Sequence, residues 1–453
     1  MHDLVANQRS FFETHQTKPL SFRLRQLNHF EQVLKAHESR LLEAIHKDFK
    51  KSAFETMATE LGLVYQELKL AKRQLKHWSR PKMVKTNWVN FPAKSYVIPE
   101  PLGVALIIGA WNYPYFLSLT PVIAAMAAGN TMILKPSELP SETSKAIQKM
   151  VLENFDATYF HVVEGGAATT SELLKQKFDK IFFTGSTQVG KLVYKAAAEH
   201  LTPVTLELGG KSPTFVTASC NLKMTVKRLV WGKFLNAGQT CVAPDYVLVH
   251  QSIETQFLEA CKAEIEKSLY HIDRHNYVQI INNQHFERLV RLIDKGKVYL
   301  GGGANKAERF IEPTLLKGVT FEDAIMKEEV FGPLLPVIPY TDISEILEKV
   351  RLLPKPLACS IFTNNTQERQ QILRELSFGG GTVNDTVMHL ANPHLPFGGV
   401  GTSGLGNYHG EAGFKAFSHF KSILHKGNWL ELPLKYTPLT SKKLWWIRQI
   451  LKL

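Results

Sequence analysis

Short apolar runs alternate with helical segments through most of this chain, and this alternation limits the folds that it can adopt. Before residue 208 the predicted strands are VALII, FHVV, KIFF and PVTLE, and beyond it they are PTFV, YVLVH, LLPVIPY, ACSIF and GGTVN. Uninterrupted apolar runs are typical of parallel strands buried on both faces. The pattern therefore predicts an α/β protein with two doubly wound parallel sheets and a break near Leu208-Gly209-Gly210.

The first eighty residues predict amphipathic helices instead of strands. Apolar residues recur every three or four positions from Leu24 to Ile45 and again from Phe54 to Leu68. This period places them on one face of a helix. The second run ends before Pro81, and SYVIPEP after it predicts an extended segment.

One charge-free stretch, Pro101 to Leu134, is long enough to cross a bilayer. Glycines and prolines interrupt it repeatedly, which favours a buried strand (GVALIIGA), a loop (WNYPY) and a buried helix (LSLTPVIAAMAAG). A transmembrane helix is the less favoured alternative.

Charge and cysteine content restrict the partners and the compartment. The 453 residues carry a formal charge of +13, which suits a phosphate-bearing cofactor, a membrane surface or nucleic acid. No nucleic-acid-binding motif is present, so we expect no nucleic-acid partner. The four cysteines form no CxxC pair and no cluster with metal-ligand spacing, which predicts no metal site and a reducing compartment. The first residues lack the apolar core of a signal peptide, which predicts a cytoplasmic protein.

Two motifs predict binding of a nucleotide. In FFTGSTQVG, a strand enters a glycine turn with Gly185, Ser186 and Gly190 before a helix, an arrangement that suits a phosphate. In ILKPSE, Lys135 and Glu138 could both hydrogen-bond to the hydroxyls of a ribose. A structural glycine turn and a solvated charge pair are the respective alternatives.

Three further residues are candidates for covalent catalysis. Cys241 follows a small, glycine-containing segment in LNAGQTCVAPD and is the one cysteine with a nucleophile's surroundings. Glu207 ends an apolar strand, so partial desolvation is expected to raise its pKa toward that of a general base. Asn112 is an amide in apolar surroundings that could donate to an oxyanion. The alternatives are an inert buried thiol for Cys241, an exposed strand-end acid for Glu207 and a turn residue for Asn112.

Taken in order, these motifs resemble the aldehyde dehydrogenase superfamily over nearly the whole chain. The matching stretches are PLGVALIIGAWNYP, AAGNTMILKPSE, FFTGSTQVG, LELGGKSP, NAGQTC, EEVFGP and PFGGVGTSGLG. Three features resemble the class 3 branch in particular. They are the short N-terminus and the stretches NDTVMHLANPHLPFGG and YHGEAGFKAFSHFKS.

The resemblance implies a domain arrangement with a small β extension for oligomerisation. The NAD(P)-binding domain would span residues 1–80 and 101–207, and the catalytic domain 208–395. Residues 81–100 and 408–433 would bridge subunits of a homodimer, leaving a basic tail at 434–453.

The resemblance also implies NAD(P)-dependent oxidation of medium- or long-chain aliphatic, or aromatic, aldehydes to carboxylic acids. Cys241 would be the nucleophile, at a lowered pKa, with Glu207 as general base and Asn112 as oxyanion donor. NAD or NADP would be held by Trp111, Lys135, Glu138, Gly185, Ser186, Gly190, Leu208, Glu329 and Phe331.

The basic tail, residues 434–453, supports a second hypothesis, binding to a membrane surface. Trp445 and Trp446 stand among lysines and an arginine, which is typical of a helix lying at a membrane interface. A helix that caps the fold or packs on a second subunit is the somewhat favoured alternative. The competing hypothesis is accordingly that the chain is a non-catalytic, basic protein that binds a membrane surface. The predicted location is the cytoplasm, with peripheral membrane contact as a further option.

Overall fold

The computed structural model describes residues 1–452, in which helices and strands alternate. The α-helices are α1 (His2–Glu13), α2 (Leu20–Phe49), α3 (Ala53–Thr56), α4 (Gly62–Ser79), α5 (Pro114–Ala128), α6 (Ser141–Leu152), α7 (Ala167–Leu174), α8 (Thr187–Ala198), α9 (Leu222–Phe234), α10 (Glu254–Ser268), α11 (Asn283–Arg291), α12 (Ile343–Arg351), α13 (Thr366–Glu375), α14 (Gly410–Ala416) and α15 (Ser441–Leu451). The strands are β1 (Lys82–Val84), β2 (Ala93–Pro101), β3 (Val104–Ile108), β4 (Thr131–Lys135), β5 (Phe160–Val162), β6 (Lys180–Thr184), β7 (Val204–Glu207), β8 (Pro213–Val216), β9 (Tyr246–His250), β10 (Val298–Leu300), β11 (Ala304–Asn305), β12 (Phe310–Ile311), β13 (Thr314–Leu316), β14 (Leu334–Tyr340), β15 (Ala358–Phe362), β16 (Gly380–Val383), β17 (Gly404–Leu405) and β18 (Ser418–Lys426).

The first large sheet has six strands in the order β17-β7-β6-β3-β4-β5. Strands β3 to β7 are parallel, and the short β17 adds an antiparallel edge. Every residue of β3, β4 and β6 is buried, as expected for apolar strands covered by helices on both faces. The carboxyl ends of β3, β4, β6 and β7 therefore meet at one edge.

The second large sheet has seven strands in the order β10-β13-β14-β9-β8-β15-β16. All neighbouring pairs are parallel except β10 with β13. Two mainly parallel sheets in one α/β chain confirm the predicted fold class. The domain limits given above remain predictions.

Helix α5 occupies most of the charge-free stretch. It spans 15 residues, contains Pro121, and buries every one of its side chains. Across residues 1–452, no helix combines the length and the apolar character needed to span a bilayer. The buried-helix interpretation of this stretch is therefore correct.

A separate three-stranded antiparallel sheet joins β1, β2 and β18. Strands β2 and β18 pair over nine residues, from Ala93 opposite Lys426 to Pro101 opposite Ser418. Most of β18 is exposed, unlike the strands of the two large sheets.

Candidate active site

The loop that carries Cys241 begins with a tight left-handed turn after α9. Asn236 and Ala237 have φ values of 53° and 51°, and Gly238 follows at 73°. A Cβ atom on Gly238 would collide with the carbonyl oxygen of Gly332. Only glycine fits this close approach, which explains the small, glycine-containing sequence before the cysteine.

Gln239 fixes the same loop with three hydrogen bonds. Its Nε2 donates to the carbonyl oxygens of Asn236 and Gln279, each at 3.1 Å. Its Oε1 accepts from the N–H of Ile281 at 3.0 Å. Because the side chain is fully buried, these bonds are shielded from water, and the loop is held rigidly.

Asn112 lies directly against this loop. Its Nδ2 donates to the carbonyl oxygen of Gln239 at 3.1 Å, while Asn236 Nδ2 donates to the carbonyl oxygen of Asn112 at 3.0 Å. A carboxamide NH₂ carries two hydrogens, so one donor of Asn112 is left for another acceptor. The structure thus brings the amide and the segment leading to Cys241 together.

The thiol of Cys241 has a pKa raised to about 12, so the expectation of a lowered pKa is wrong for the chain by itself. Burial is the main cause, and the negative charges of Glu329 and Glu207 add to it. The N–H groups of Cys241 and Val242 act in the opposite direction. A thiolate at neutral pH therefore requires a hydrogen bond or a positive charge that lowers this pKa.

Glu207 ends β7 with its carboxyl group fully buried. Neither carboxyl oxygen has a hydrogen-bond partner among residues 1–452. Burial raises the pKa of Glu207 well above its ordinary value, in the direction expected from its position at the end of an apolar strand. An unpartnered buried carboxyl group can hold and orient a water molecule.

The residues expected to hold the adenosine end of a cofactor follow neighbouring strands of the first sheet. Lys135 is buried, and its Nζ lies 2.8 Å from Oε2 of Glu138. Gly185 and Ser186 follow β6, and Ser186 caps α8 by accepting from the N–H of Val189 at 3.4 Å. A Cβ on Gly190 would lie 2.5 Å from a methyl carbon of Leu208, so this glycine lets α8 approach the strand end closely.

Of the residues expected at the nicotinamide end, Glu329 acts on Cys241 through its charge. Burial, then the charge of Asp245, raises the pKa of Glu329 to about 8. The Phe331 ring packs edge-on against Trp111 with 5.2 Å between centroids. This set of donors and acceptors fits a dinucleotide. The carboxyl groups of Glu138 and Glu329 can accept from hydroxyl groups, and the exposed first turn of α8 can donate to phosphates.

Two tyrosines of the site carry no recognisable signal in the sequence. The Tyr113 hydroxyl lies 2.6 Å from Oγ1 of Thr240, next to the nucleophile. The fully buried Tyr408 hydroxyl has no partner within the described chain. Burial, then the charges of Glu207 and Cys241, raises the pKa of Tyr408. Only the folded chain brings Tyr113 and Thr240 together.

Comparison with known proteins gives the family. A family model described as "Aldehyde dehydrogenase family" matches residues 1–423. The chain belongs to the aldehyde dehydrogenase family. It is 45% identical to 4,4'-diaponeurosporen-aldehyde dehydrogenase of Staphylococcus aureus (strain NCTC 8325 / PS 47), over 96% of each chain. It is 42% identical to aldehyde dehydrogenase family 3 member A2 of Pongo abelii, over 98% of this chain and 92% of the relative. The solved substrate-bound state of Staphylococcus aureus AldH superposes with a TM-score of 0.97 at 44% identity, covering 99% of each chain.

Membership in this family and the likeness to a family 3 enzyme confirm the predicted class 3 type. The chain is an oxidoreductase that oxidises aldehydes with NAD or NADP. The comparisons give no support to the alternative, a non-catalytic membrane-surface-binding protein.

Proposed function

We propose that this aldehyde dehydrogenase works through a covalent thioester on Cys241. One aldehyde, one oxidised nicotinamide cofactor and one water yield a carboxylic acid, the reduced cofactor and a proton. The observation that carries the proposal is the contact of the Asn112 amide with the loop of Cys241, together with an unpartnered Glu207 carboxyl group whose charge acts on the Cys241 thiol.

The first chemical step forms a carbon–sulfur bond between Cys241 and the aldehyde. Trp111, Glu329 and Phe331 would hold the nicotinamide end of the cofactor, which when bound would supply a positive charge that favours the thiolate and an acceptor for the hydride of the substrate carbon. The oxyanion that develops is stabilised by the free N–H of Asn112 and the backbone N–H of Cys241. Because Asn112 is already fixed by Gln239, little reorganisation is needed during the reaction.

The second step breaks the carbon–sulfur bond with water. Glu207 in its ionised form takes a proton from the attacking water, and the thiolate leaves. The raised pKa makes this carboxylate a stronger base than an ordinary glutamate. Its lack of any other partner leaves both oxygens available to the water.

The substrates that we propose are medium- or long-chain aliphatic and aromatic aldehydes. The aromatic ring of Tyr113 beside Thr240 and the name of the Staphylococcus aureus relative, an enzyme of diaponeurosporen-aldehyde, support this class. Steady-state assays with aldehydes of increasing chain length, each with NAD and with NADP, test it. We expect kcat/KM to rise with chain length. A maximum at acetaldehyde would contradict the assignment.

Cofactor choice is expected to depend on Glu138. Partial burial opposes ionisation, but the hydrogen bond and charge of Lys135 hold the pKa of Glu138 below its ordinary value. The resulting carboxylate repels a 2′-phosphate. Glu138→Gln should therefore raise the ratio of kcat/KM for NADP to that for NAD by about tenfold. Glu142→Gln, a change to an exposed acid on α6, is the control, and an equal ratio in both variants would contradict this role.

We further propose that the chain forms a homodimer through the sheet of β1, β2 and β18. Strand β1 and most of β18 are exposed, and beside the sheet lie the aromatic side chains Trp88, Phe91 and Trp429, with exposed fractions of 76%, 45% and 71%. Exposed aromatic groups of this kind are enriched at protein interfaces. A light-scattering mass equal to one chain at micromolar concentration would contradict the dimer.

The C-terminal helix α15 is the proposed site of peripheral membrane contact. Its side chains are not buried by the rest of the described chain, and Trp445 and Trp446 are 54% and 47% exposed. This exposure supports a surface contact of the helix over packing on its own subunit. Removal of residues 434–453 should abolish flotation with vesicles rich in phosphatidylserine, and phosphatidylcholine vesicles serve as the control. Unchanged flotation would exclude the tail as the membrane contact.

A further inference from the structure

A buried ion pair lies behind the active site, outside every motif considered so far. The side chains of Lys51 and Glu60 are both fully buried, with Nζ 2.7 Å from Oε1. Lys51 lies in the link between α2 and α3, and Glu60 lies in a π-helical turn, Met57–Leu61. Buried ion pairs contribute little net stability because both charges lose their hydration. Single π-turns are frequent at functional sites.

Glu60 fixes the start of helix α5. Its second carboxyl oxygen, Oε2, accepts from the N–H of Tyr115 at 2.8 Å. Tyr115 is the second residue of α5, and its N–H has no partner within the helix. Because Asn112 lies two residues before the helix begins, this bond constrains the backbone that carries the Asn112 amide.

Lys51 reaches the nucleophile loop through Tyr113. Its Nζ lies 4.6 Å from the centre of the Tyr113 ring, within the range of a cation–π contact. The hydroxyl of that ring is bonded to Thr240 at 2.6 Å. Thr240 directly precedes Cys241, so the ammonium group is connected to the nucleophile by two contacts.

Glu55 contacts the other end of the same loop. Its Oε1 accepts from the N–H of Asn236 at 3.2 Å. Asn236 is the residue whose own amide donates to the carbonyl oxygens of Asn112 and Gln239. One N-terminal segment, residues 51–60, therefore contacts both the start of α5, just after Asn112, and the loop of the nucleophile.

We propose that Lys51, Glu55 and Glu60 are positioning residues that fix the distance and orientation of the Asn112 amide relative to Cys241. The inference rests on the proposed roles of Asn112 and Cys241. None of the three is bonded to Cys241 or to the Asn112 amide, so we assign them the placement of these groups. A shift of about 1 Å in such groups lowers rates by about 10²-fold.

The test measures the single-turnover rate of cofactor reduction in the full-length enzyme. Lys51→Met should lower this rate about 10- to 100-fold while the Kd for NAD changes less than about twofold. The matched control is Lys180→Met. Lys180 is also buried and donates to Thr205 Oγ1 at 2.7 Å, but it contacts neither Asn112 nor the cysteine loop. An unchanged rate in folded Lys51→Met enzyme, or an equal loss in Lys180→Met, would overturn the proposal.

A double-mutant cycle separates positioning from a general loss of stability. If Lys51 acts through Asn112, Lys51→Met should cost less than about threefold in an Asn112→Ala background. Additive losses would overturn the proposal. If Lys51→Met does not fold, Tyr113→Phe takes its place in the cycle, because it removes only the oxygen that bonds to Thr240. Should Asn112→Ala itself keep full activity, the proposed function fails, whatever Lys51 does.

Discussion

Replacement of Cys241 by alanine is expected to lower steady-state formation of the reduced cofactor by at least about 10⁴-fold. Without sulfur no carbon–sulfur bond can form, and the hydride has no covalent adduct to leave from. Absorbance of the reduced nicotinamide during turnover of hexanal measures the rate. Binding of NAD, followed by quenching of protein fluorescence, should change little.

Cys220→Ala is the control for this substitution. Cys220 is partly exposed, like Cys241, and lies on the link between β8 and α9. Burial, which dominates over a bond from Thr225, raises the pKa of its thiol. The control should keep wild-type activity. Equal activity in the two variants would remove Cys241 from the mechanism.

Glu207→Gln is expected to give one equivalent of reduced cofactor per site and then turn over about 10²- to 10⁴-fold more slowly than wild type. Glutamine keeps the size of the side chain but cannot take a proton from water, so the thioester accumulates. Rapid mixing with aldehyde and NAD would record the burst and the slow phase separately. A slow phase equal to the wild-type rate would contradict the role of Glu207.

The pH dependence of the slow phase has a definite sign. Burial raises the pKa of Glu207, so the carboxyl group remains protonated to a higher pH than an ordinary glutamate. The hydrolysis rate of wild-type enzyme should therefore fall as the pH drops through this raised pKa. In Glu207→Gln the same limb of the profile should be absent, and its persistence would assign the titration to another group.

The strands were predictable because the buried strands are mainly runs of apolar residues in the sequence. Runs such as VALII and ACSIF are apolar at every position, and both are fully buried strands in the structure. Parallel topology then requires that strand ends meet, which brings Lys135, Gly185 and Glu207 to one edge. Local sequence and a topological rule were sufficient for this part.

Other features depend on contacts between distant segments. Lys51 and Glu60 resemble solvated charges in a helical region, and only the packing of residues 51–60 against α5 buries them. The pKa of Cys241 was predicted in the wrong direction because the folded chain buries the thiol and brings Glu329 and Glu207 toward it from other parts of the chain. Sequence neighbours identify a cysteine but do not fix the electrostatic field around it.

The acyl group itself provides the most direct measurement of the central claim. Glu207→Gln enzyme would be mixed with hexanal and NAD, quenched in acid and digested, and the peptides analysed by mass spectrometry. We predict one hexanoyl group per chain, carried by the peptide that contains Cys241 and absent when NAD is omitted. Formation of the reduced cofactor with no acyl group on Cys241, or with the acyl group on another residue, would contradict the mechanism.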